Sequence, residues 1–321
     1  MNWIREANYK EDMEALAEPY VAARTEAGSF ERTKGQKIYY EAYKADKEKG
    51  AIVLSHGFTE SVRKFTESVY YMLQAGYNVY AVDHRGHGRS YRPNDNPFVV
   101  HAEKFEDYVL DLEYFTREIV KREKKETGPL YLYGHSMGGC IGAWTIETYP
   151  DLFKKAVLTS PMLALKFPVP TSIMVAGASL IGMGKGGRRK KEPLSPVNAF
   201  SETPDFENSC DSSKCRYLYY FDKRLKDSAL QTTSPSVGWG LEAVKACKRA
   251  TSKAEMAKIR IPVLLMQAGN DTMVDNAGQN LFASRVPGCT LAQVPGMKHE
   301  LYMTDSDVLI PYWEKIFAFL G

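Results

Sequence analysis

The sequence lacks several features, and each absence closes off a class of function. There is no run of about 18 uncharged apolar residues, the length a membrane-spanning helix requires. The opening Met1-Asn2-Trp3-Ile4-Arg5-Glu6, with Lys10, Glu11 and Asp12 close behind, has no apolar region of the secretory kind, so no signal peptide is expected. Charge of one sign is also scarce: 42 Lys and Arg against 39 Asp and Glu leave +3 over 321 residues. That balance predicts no nucleic-acid partner and confines any basic binding surface to a local patch. Cysteines are few and odd in number. Cys140, Cys210, Cys215, Cys247 and Cys289 are irregularly spaced, and Cys210 and Cys215 have no second Cys or His pair at zinc-ligand spacing. Reduced thiols in a cytoplasmic protein, with no metal, are the expectation.

What is present is a core. Hydrophobic residues make up 44% and charged residues 25%, the profile of a soluble globular chain. The length fits one large domain or one domain carrying an insertion. Tyr9 to Ala27 set Met13, Leu16, Ala17, Tyr20 and Val21 near helical spacing, predicting an amphipathic helix docked on the main body. Strands and helices then alternate. Strands are expected at Lys37 to Tyr43, Ala51 to Ser55, Asn78 to Val82, Leu130 to Tyr133 and Ala156 to Thr159. Helices are expected near Lys64 to Ala75, Phe105 to Glu126 and Met137 to Thr148. Such alternation needs crossover connections, hence a mostly parallel, doubly wound sheet covered by helices. After Ser160-Pro161 the rhythm stops for roughly ninety residues, far beyond an ordinary connection. It resumes with strands at Ile261 to Met266 and Thr290 to Val294 and helices near Ala277 to Ser284 and Asp307 to Phe319. The expected organisation is a core from 1–161 and 259–321, interrupted by a mainly helical insertion at 162–258.

Gly134-His135-Ser136-Met137-Gly138-Gly139 follows the strand Leu130 to Tyr133 and opens a helix. In that context G-x-S-x-G is a sharp strand-to-helix turn that exposes a serine hydroxyl above the sheet edge. Glycine at 134 and 138 lets the backbone pass close to itself, and the helix N-terminus favours a developing oxyanion. The α/β-hydrolase order is serine, acid, histidine. Of His56, His84, His87, His101, His135 and His299, only His299 follows Ser136. It is the expected general base, on the loop after the strand Thr290 to Val294. The acid is expected at Asp271, where the run from Val263 ends in Gly269-Asn270-Asp271. Asp275 reads instead as the N-cap of the next helix. Met137 supplies one expected oxyanion-hole N–H. Phe58, in the loop after the strand ending at Ser55, supplies the other. His56 is read as structural.

His56-Gly57-Phe58-Thr59-Glu60, Asp83-His84-Arg85-Gly86-His87-Gly88-Arg89-Ser90, Gly134 to Gly139, the Asp271 loop and His299-Glu300 occur in order. Together they resemble the monoacylglycerol lipase and bacterial lysophospholipase branch of the α/β-hydrolases, from about residue 30 to the end except for much of the insertion. The resemblance implies a cap over the active site, ester hydrolysis through an acyl-enzyme, and no cofactor. It also implies Ser136, Asp271 and His299 as triad, with Phe58 and Met137 as oxyanion donors. The Asp83–Ser90 stretch looks like a structural signature of that branch.

The insertion carries the apolar stretches Met162 to Pro170 and Ile173 to Met183, which suit either a lid lining an acyl channel or an ordinary cap helix. Gly184 to Lys191 is a basic, Gly-rich tract: either a solvated loop, or a contact for an anionic membrane or phosphate-bearing substrate. Arg216 to Phe221 and Trp239 either wall the acyl pocket or form cap core. The expected substrate is a small-molecule acyl ester, a monoacylglycerol or lysophospholipid. Two alternatives stay open on the same triad: an esterase for short or aromatic acyl groups, and an iminopeptidase-type enzyme holding a free amine with Glu202, Asp205, Glu207 or Asp211. A non-catalytic receptor is the remote third reading.

Overall fold

The computed structural model describes residues 1–124, 128–166, 190–194 and 200–321. The stretch Ile173 to Met183 and most of the basic tract lie outside the described residues. Apolar runs flanked by turn residues build a sheet of eight strands, β1 (Thr25–Phe30), β2 (Ile38–Tyr43), β3 (Gly50–Ser55), β4 (Tyr77–Val82), β6 (Leu130–His135), β7 (Lys155–Thr159), β9 (Val263–Ala268) and β10 (Cys289–Val294). They lie in the order β1-β2-β4-β3-β6-β7-β9-β10. All neighbouring pairs from β4 to β10 are parallel; β2 pairs antiparallel with both β1 and β4.

Side-chain alternation along the central strands divides the core between the two faces of the sheet. Ala51, Val53, Leu132, Ala156 and Leu158 face one apolar layer, while Ile52, Leu54, Tyr131, Tyr133 and Val157 face the other. The first layer is covered by α4 (Glu106–Tyr114), α6 (Met137–Thr148) and α8 (Val237–Ala250), through Tyr108, Leu112, Ile141, Ala243 and Cys247. The second is covered by α1 (Tyr9–Asp12), α3 (Thr66–Gln74) and α11 (Ser306–Leu320), through Tyr9, Tyr71, Trp313 and Ile316. α1 runs through a π-helical turn (Met13–Ala17) into α2 (Glu18–Ala22).

The N-terminal helix therefore stops at Ala22, short of the Ala27 predicted, and β1 follows, which the sequence pattern does not announce. Thr25-Glu26-Ala27-Gly28-Ser29 is polar and buries little, so it carries no strand signal. Antiparallel pairing with β2 along its whole length fixes it as an edge strand.

β7 and β9 are adjacent, so the chain between them leaves the sheet and returns to it. That stretch holds α7 (Lys214–Lys226), α8 and α9 (Lys253–Met256). Its β8 (Ser234–Pro235) pairs with β5 (Val99–Val100) outside the main sheet. Leu165 pairs back onto Val274 beside the loop after β9. Near the C-terminal end of the sequence, α10 (Asn276–Arg285) links β9 to β10, and Asp275 caps it, its carboxylate accepting the Ala277 N–H at 2.9 Å. No helix among the described residues is long and apolar enough to cross a membrane.

α6 carries a carboxyl that sits poorly in its surroundings. Glu147 is buried, Arg249 of α8 holds one oxygen at 2.6 Å, and the other oxygen has no hydrogen-bond partner among the described residues. Burial, only partly offset by Arg249, lifts its pKa from an ordinary 4.5 to about 8. A raised carboxyl pKa contributes stability that is fully present below the unfolded value and lost as pH rises through the folded one, here between about 4.5 and 8. Glu147→Gln is therefore expected to gain on the parent protein between pH 5 and pH 8, by about 2–4 °C in Tm for each kcal/mol relieved. Melting curves at the two pH values check this; an equal difference at both would mean that the carboxyl stays ionised against Arg249.

Candidate active site

The carboxyl ends of β3, β6, β9 and β10 bring together chain segments that are far apart in sequence, as open parallel sheets do. β6 turns into α6 so sharply that Ser136 sits at φ 52° and ψ −116°, a conformation that a side-chain-bearing residue rarely holds. The turn is fixed by its own backbone: Ser136 N–H donates to Thr159 O at 3.0 Å, and Ser136 O accepts from Met162 N–H at 2.9 Å and Cys140 N–H at 3.1 Å. Glycine is required on both sides. A Cβ at 134 would lie 2.6 Å from Gly138 O, and one at 138 only 2.1 Å from Ser55 O. The start of α6 thus presses against the end of β3, which brings the His56–Glu60 loop beside Ser136.

The structure brings together Ser136, Asp271 and His299. His299 Nε2 lies 2.7 Å from Ser136 Oγ, and its Nδ1 lies 2.6 Å from Asp271 Oδ2. The second Asp271 oxygen accepts the N–H groups of Met273 at 2.8 Å and Val274 at 3.0 Å. Burial opposes ionisation of Asp271, but His299 and these two N–H groups outweigh it and hold the carboxyl below its ordinary range. With Asp275 committed to capping, Asp271 alone of the two acids reaches His299.

Phe58 lines the cavity above Ser136, its ring tilted 37° against that of Trp239 with centroids 4.2 Å apart. Met137 is the first residue of α6, where an N–H has no helical partner. No acceptor among the described residues engages either N–H group. His56 is buried, with Nδ1 on Gly57 O at 2.8 Å and Nε2 accepting His84 N–H at 3.0 Å, and burial lowers its pKa to about 4. Within the Asp83–Ser90 stretch, the Asp83 carboxylate accepts from Val62 N–H at 2.8 Å and Arg89 N–H at 2.9 Å, tying two loops beneath the site.

The cavity measures about 330 Å³. Met162, Leu165, Leu194, Trp239, Met273 and Val274 give it an apolar wall, while Glu60, His135, Cys210 and Glu300 form a polar end. Trp239 alone of the proposed cap aromatics lines it. Arg216 and Tyr220 are buried elsewhere, and Phe221 packs on Phe200. Glu202, Asp205 and Glu207 are exposed away from the cavity.

Sequence reasoning missed the cluster behind the polar end. Lys64 pairs with Glu300 and lies 3.5 Å from Glu60, whose other oxygen accepts Gly57 N–H at 2.5 Å. Tyr302 donates to Glu60 at 2.5 Å, and Asp211 lies buried against Glu300. One ammonium thus serves three carboxyl groups. Burial is the largest influence on each. Lys64 nonetheless holds Glu300 well below its ordinary range, while Asp211 and Glu60 are pushed up by burial and by the Glu300 charge. Glu60 and Glu300 stood inside the motifs quoted from the sequence, but Lys64 carried no signal because Glu300, the carboxylate it pairs with most closely, lies 236 residues farther along the chain.

A family model described as serine aminopeptidase, S33, matches residues 46–307. The chain belongs to that family. It is a hydrolase with the α/β-hydrolase fold. This S33 hydrolase is 26% identical to lysophospholipase L2 of Escherichia coli K12, over 76% of this chain and 70% of that protein. It is also 26% identical to the monoacylglycerol lipase of Mycolicibacterium smegmatis, over 88% of this chain and 92% of that one. Among solved structures, it resembles the monoacylglycerol lipase of Paleococcus ferrophilus with a TM-score of 0.67 and 24% identity, covering 88% of this chain and 98% of the other.

The Lys64 cluster yields a stability test. Lys64→Met leaves the Glu300 charge buried without its cation, and breaking a buried pair from one side costs about 3–5 kcal/mol. Denaturant unfolding should register that loss, and Lys64→Met with Glu300→Gln should recover much of it. A double variant no more stable than the single one would show that the pairing is not what holds the cluster.

Proposed function

We propose that this S33 hydrolase cleaves carboxylic esters of single-chain lipids, monoacylglycerols or lysophospholipids, through an acyl-enzyme on Ser136. The observation that carries this reading is the unbroken relay from Asp271 through His299 to Ser136, opening into a cavity with one apolar wall and one polar end. His299 takes the Ser136 proton as the hydroxyl attacks the ester carbonyl. The N–H groups of Phe58 and Met137 receive the oxyanion. Asp271 fixes the imidazole tautomer and stabilises its cation, and water then deacylates the enzyme with His299 again as base. The insertion 162–258 acts as a cap, with Trp239 and Leu194 covering the acyl chain.

Relatives named lysophospholipase and monoacylglycerol lipase support the ester class. The polar end supports it over an aminopeptidase reaction, for which a carboxylate must be free to hold an ammonium. Glu300 is already paired with Lys64, and Asp211 sits in the same buried cluster. Peripheral membrane contact through the cap belongs to the same reading, and equal co-sedimentation with neutral and anionic vesicles would remove a role for its basic tract.

Ser136→Ala is expected to abolish turnover and fluorophosphonate labelling. Asp271→Asn should slow turnover by about 10⁴-fold, as loss of the orienting acid does elsewhere. The discriminating assay is a chain-length series of p-nitrophenyl esters beside monoacylglycerol, lysophosphatidylcholine and aminoacyl-naphthylamides. Preference for medium or long acyl chains supports the reading. Preference for acetyl esters or for aminoacyl amides would overturn the lipid assignment while keeping the triad.

A further inference from the structure

The family match begins at residue 46, so the N-terminal helices lie outside it. The residues that lead into them, Ile4 and Glu6, are nevertheless bonded to a buried arginine that leads to the active-site histidine. Arg216, on the first turn of α7, has a fully buried side chain. Its guanidinium donates to Glu67 of α3 at 3.0 and 2.9 Å, to Ile4 O at 3.0 Å, and to the Glu6 carboxylate. Glu6 also accepts from Ser306 N–H at 2.9 Å, at the start of α11. Tyr9 donates to Glu67 at 2.8 Å and lies with its ring 4.8 Å beneath the Arg216 guanidinium. One turn and two turns farther along the same face of α7, Tyr219 donates to Glu18 of α2 at 2.7 Å and Lys223 pairs with it. The N-terminal segment therefore grips α7 along its length.

The residues that lead into α7 grip the His299 loop in turn. Glu300 N–H donates to Cys210 O at 3.1 Å, and Lys298 N–H donates to Ser212 Oγ at 3.1 Å. Ser212 and Ser213 N–H both donate to Met303 O, at 3.2 and 2.9 Å. The residues on either side of His299 are thus held by the segment 210–213, whose position is set by the helix that Arg216 anchors.

We propose that the N-terminal helices form a strap that positions the His299 loop through α7, with Arg216 as the positioning residue. The strap rests on the reading of His299 as general base for its kinetic consequence, but its structural consequence can be measured without catalysis. A segment that decorated the surface would have no reason to commit a carboxylate, that of Glu6, and the backbone carbonyl of Ile4 to one buried arginine of the insertion. An arginine serves this purpose because its planar fork reaches several acceptors at fixed angles, which an ammonium cannot do.

The test uses the full chain with Arg216→Lys, which keeps the charge and loses the fork, and Glu6→Gln, which removes the ion pair at a partly exposed position. Hydrogen exchange should speed up at the amides of Lys298, Glu300, Ser212 and Ser213 while the β3 and β6 amides keep their rates, the pattern of local rather than global opening. On a p-nitrophenyl ester, kcat should fall between about 5- and 100-fold with KM within about twofold, because a ~1 Å misplacement of a catalytic group costs ~10²-fold. Fluorophosphonate labelling of Ser136 should slow in parallel. Unchanged exchange at 298–303 in both folded variants would overturn the strap. If Arg216→Lys does not fold, Glu6→Gln carries the test. Faster exchange there with unaltered kcat would overturn the kinetic role, and turnover persisting in Ser136→Ala would instead overturn the catalytic reading.

Discussion

The start of α6 approaches the end of β3 more closely than any side chain permits, and the rest of the site depends on this contact. A Cβ at position 138 would overlap the carbonyl oxygens of Ser55 and His56, so the elbow exists only because the chain has glycine there. From that contact follow the strained backbone of Ser136, the position of its hydroxyl opposite His299, and the closeness of the Phe58 loop to the first N–H groups of α6. Thr59 and Ser160 share the positive φ of Ser136, so among the described residues the strained side-chain-bearing positions gather at this one corner of the sheet. Packing on both faces of the sheet holds that strain in place.

Two buried cations do comparable work at longer range. Lys64 gathers Glu60 and Glu300, which belong to the loops after β3 and β10; Arg216 gathers Glu6, Glu67 and the Ile4 carbonyl. In each case a single positive group in a dry environment is shared by acceptors from segments that never meet in sequence. Such clusters contribute little net stability over an apolar filling, but they define one arrangement, because any slip leaves a charge without its partner. In this S33 hydrolase both clusters border the loop that carries His299.

The parallel sheet was legible because its strands are apolar runs too short to be helices, and the elbow because glycine, serine and glycine fall where a strand meets a helix. His299 followed from chain order alone, and Asp271 from its place at a strand end with Asp275 better suited to capping. The insertion was legible as an interruption of the alternation, though not in its content. Arg216 to Phe221 read equally as pocket wall or as core, since both bury aromatic residues; none of the six lines the cavity, with Arg216, Tyr220 and Phe221 buried elsewhere and Tyr217 to Tyr219 half-buried, which leaves Trp239 to the cavity. β1 gave no signal because an edge strand exposes most of its side chains and draws its stability from β2.

The division follows from the range of the forces involved. Local sterics and side-chain periodicity act over a few residues, so the sequence by itself determined the strands, the helices, the elbow and the order of serine, acid and histidine. Charge pairing in a low-dielectric interior depends on which segments the fold brings within a few ångströms. Only the tertiary structure could therefore decide that Lys64 serves Glu300, that Asp211 joins this cluster, and that Arg216 ties the N-terminal residues Ile4 and Glu6 to α7.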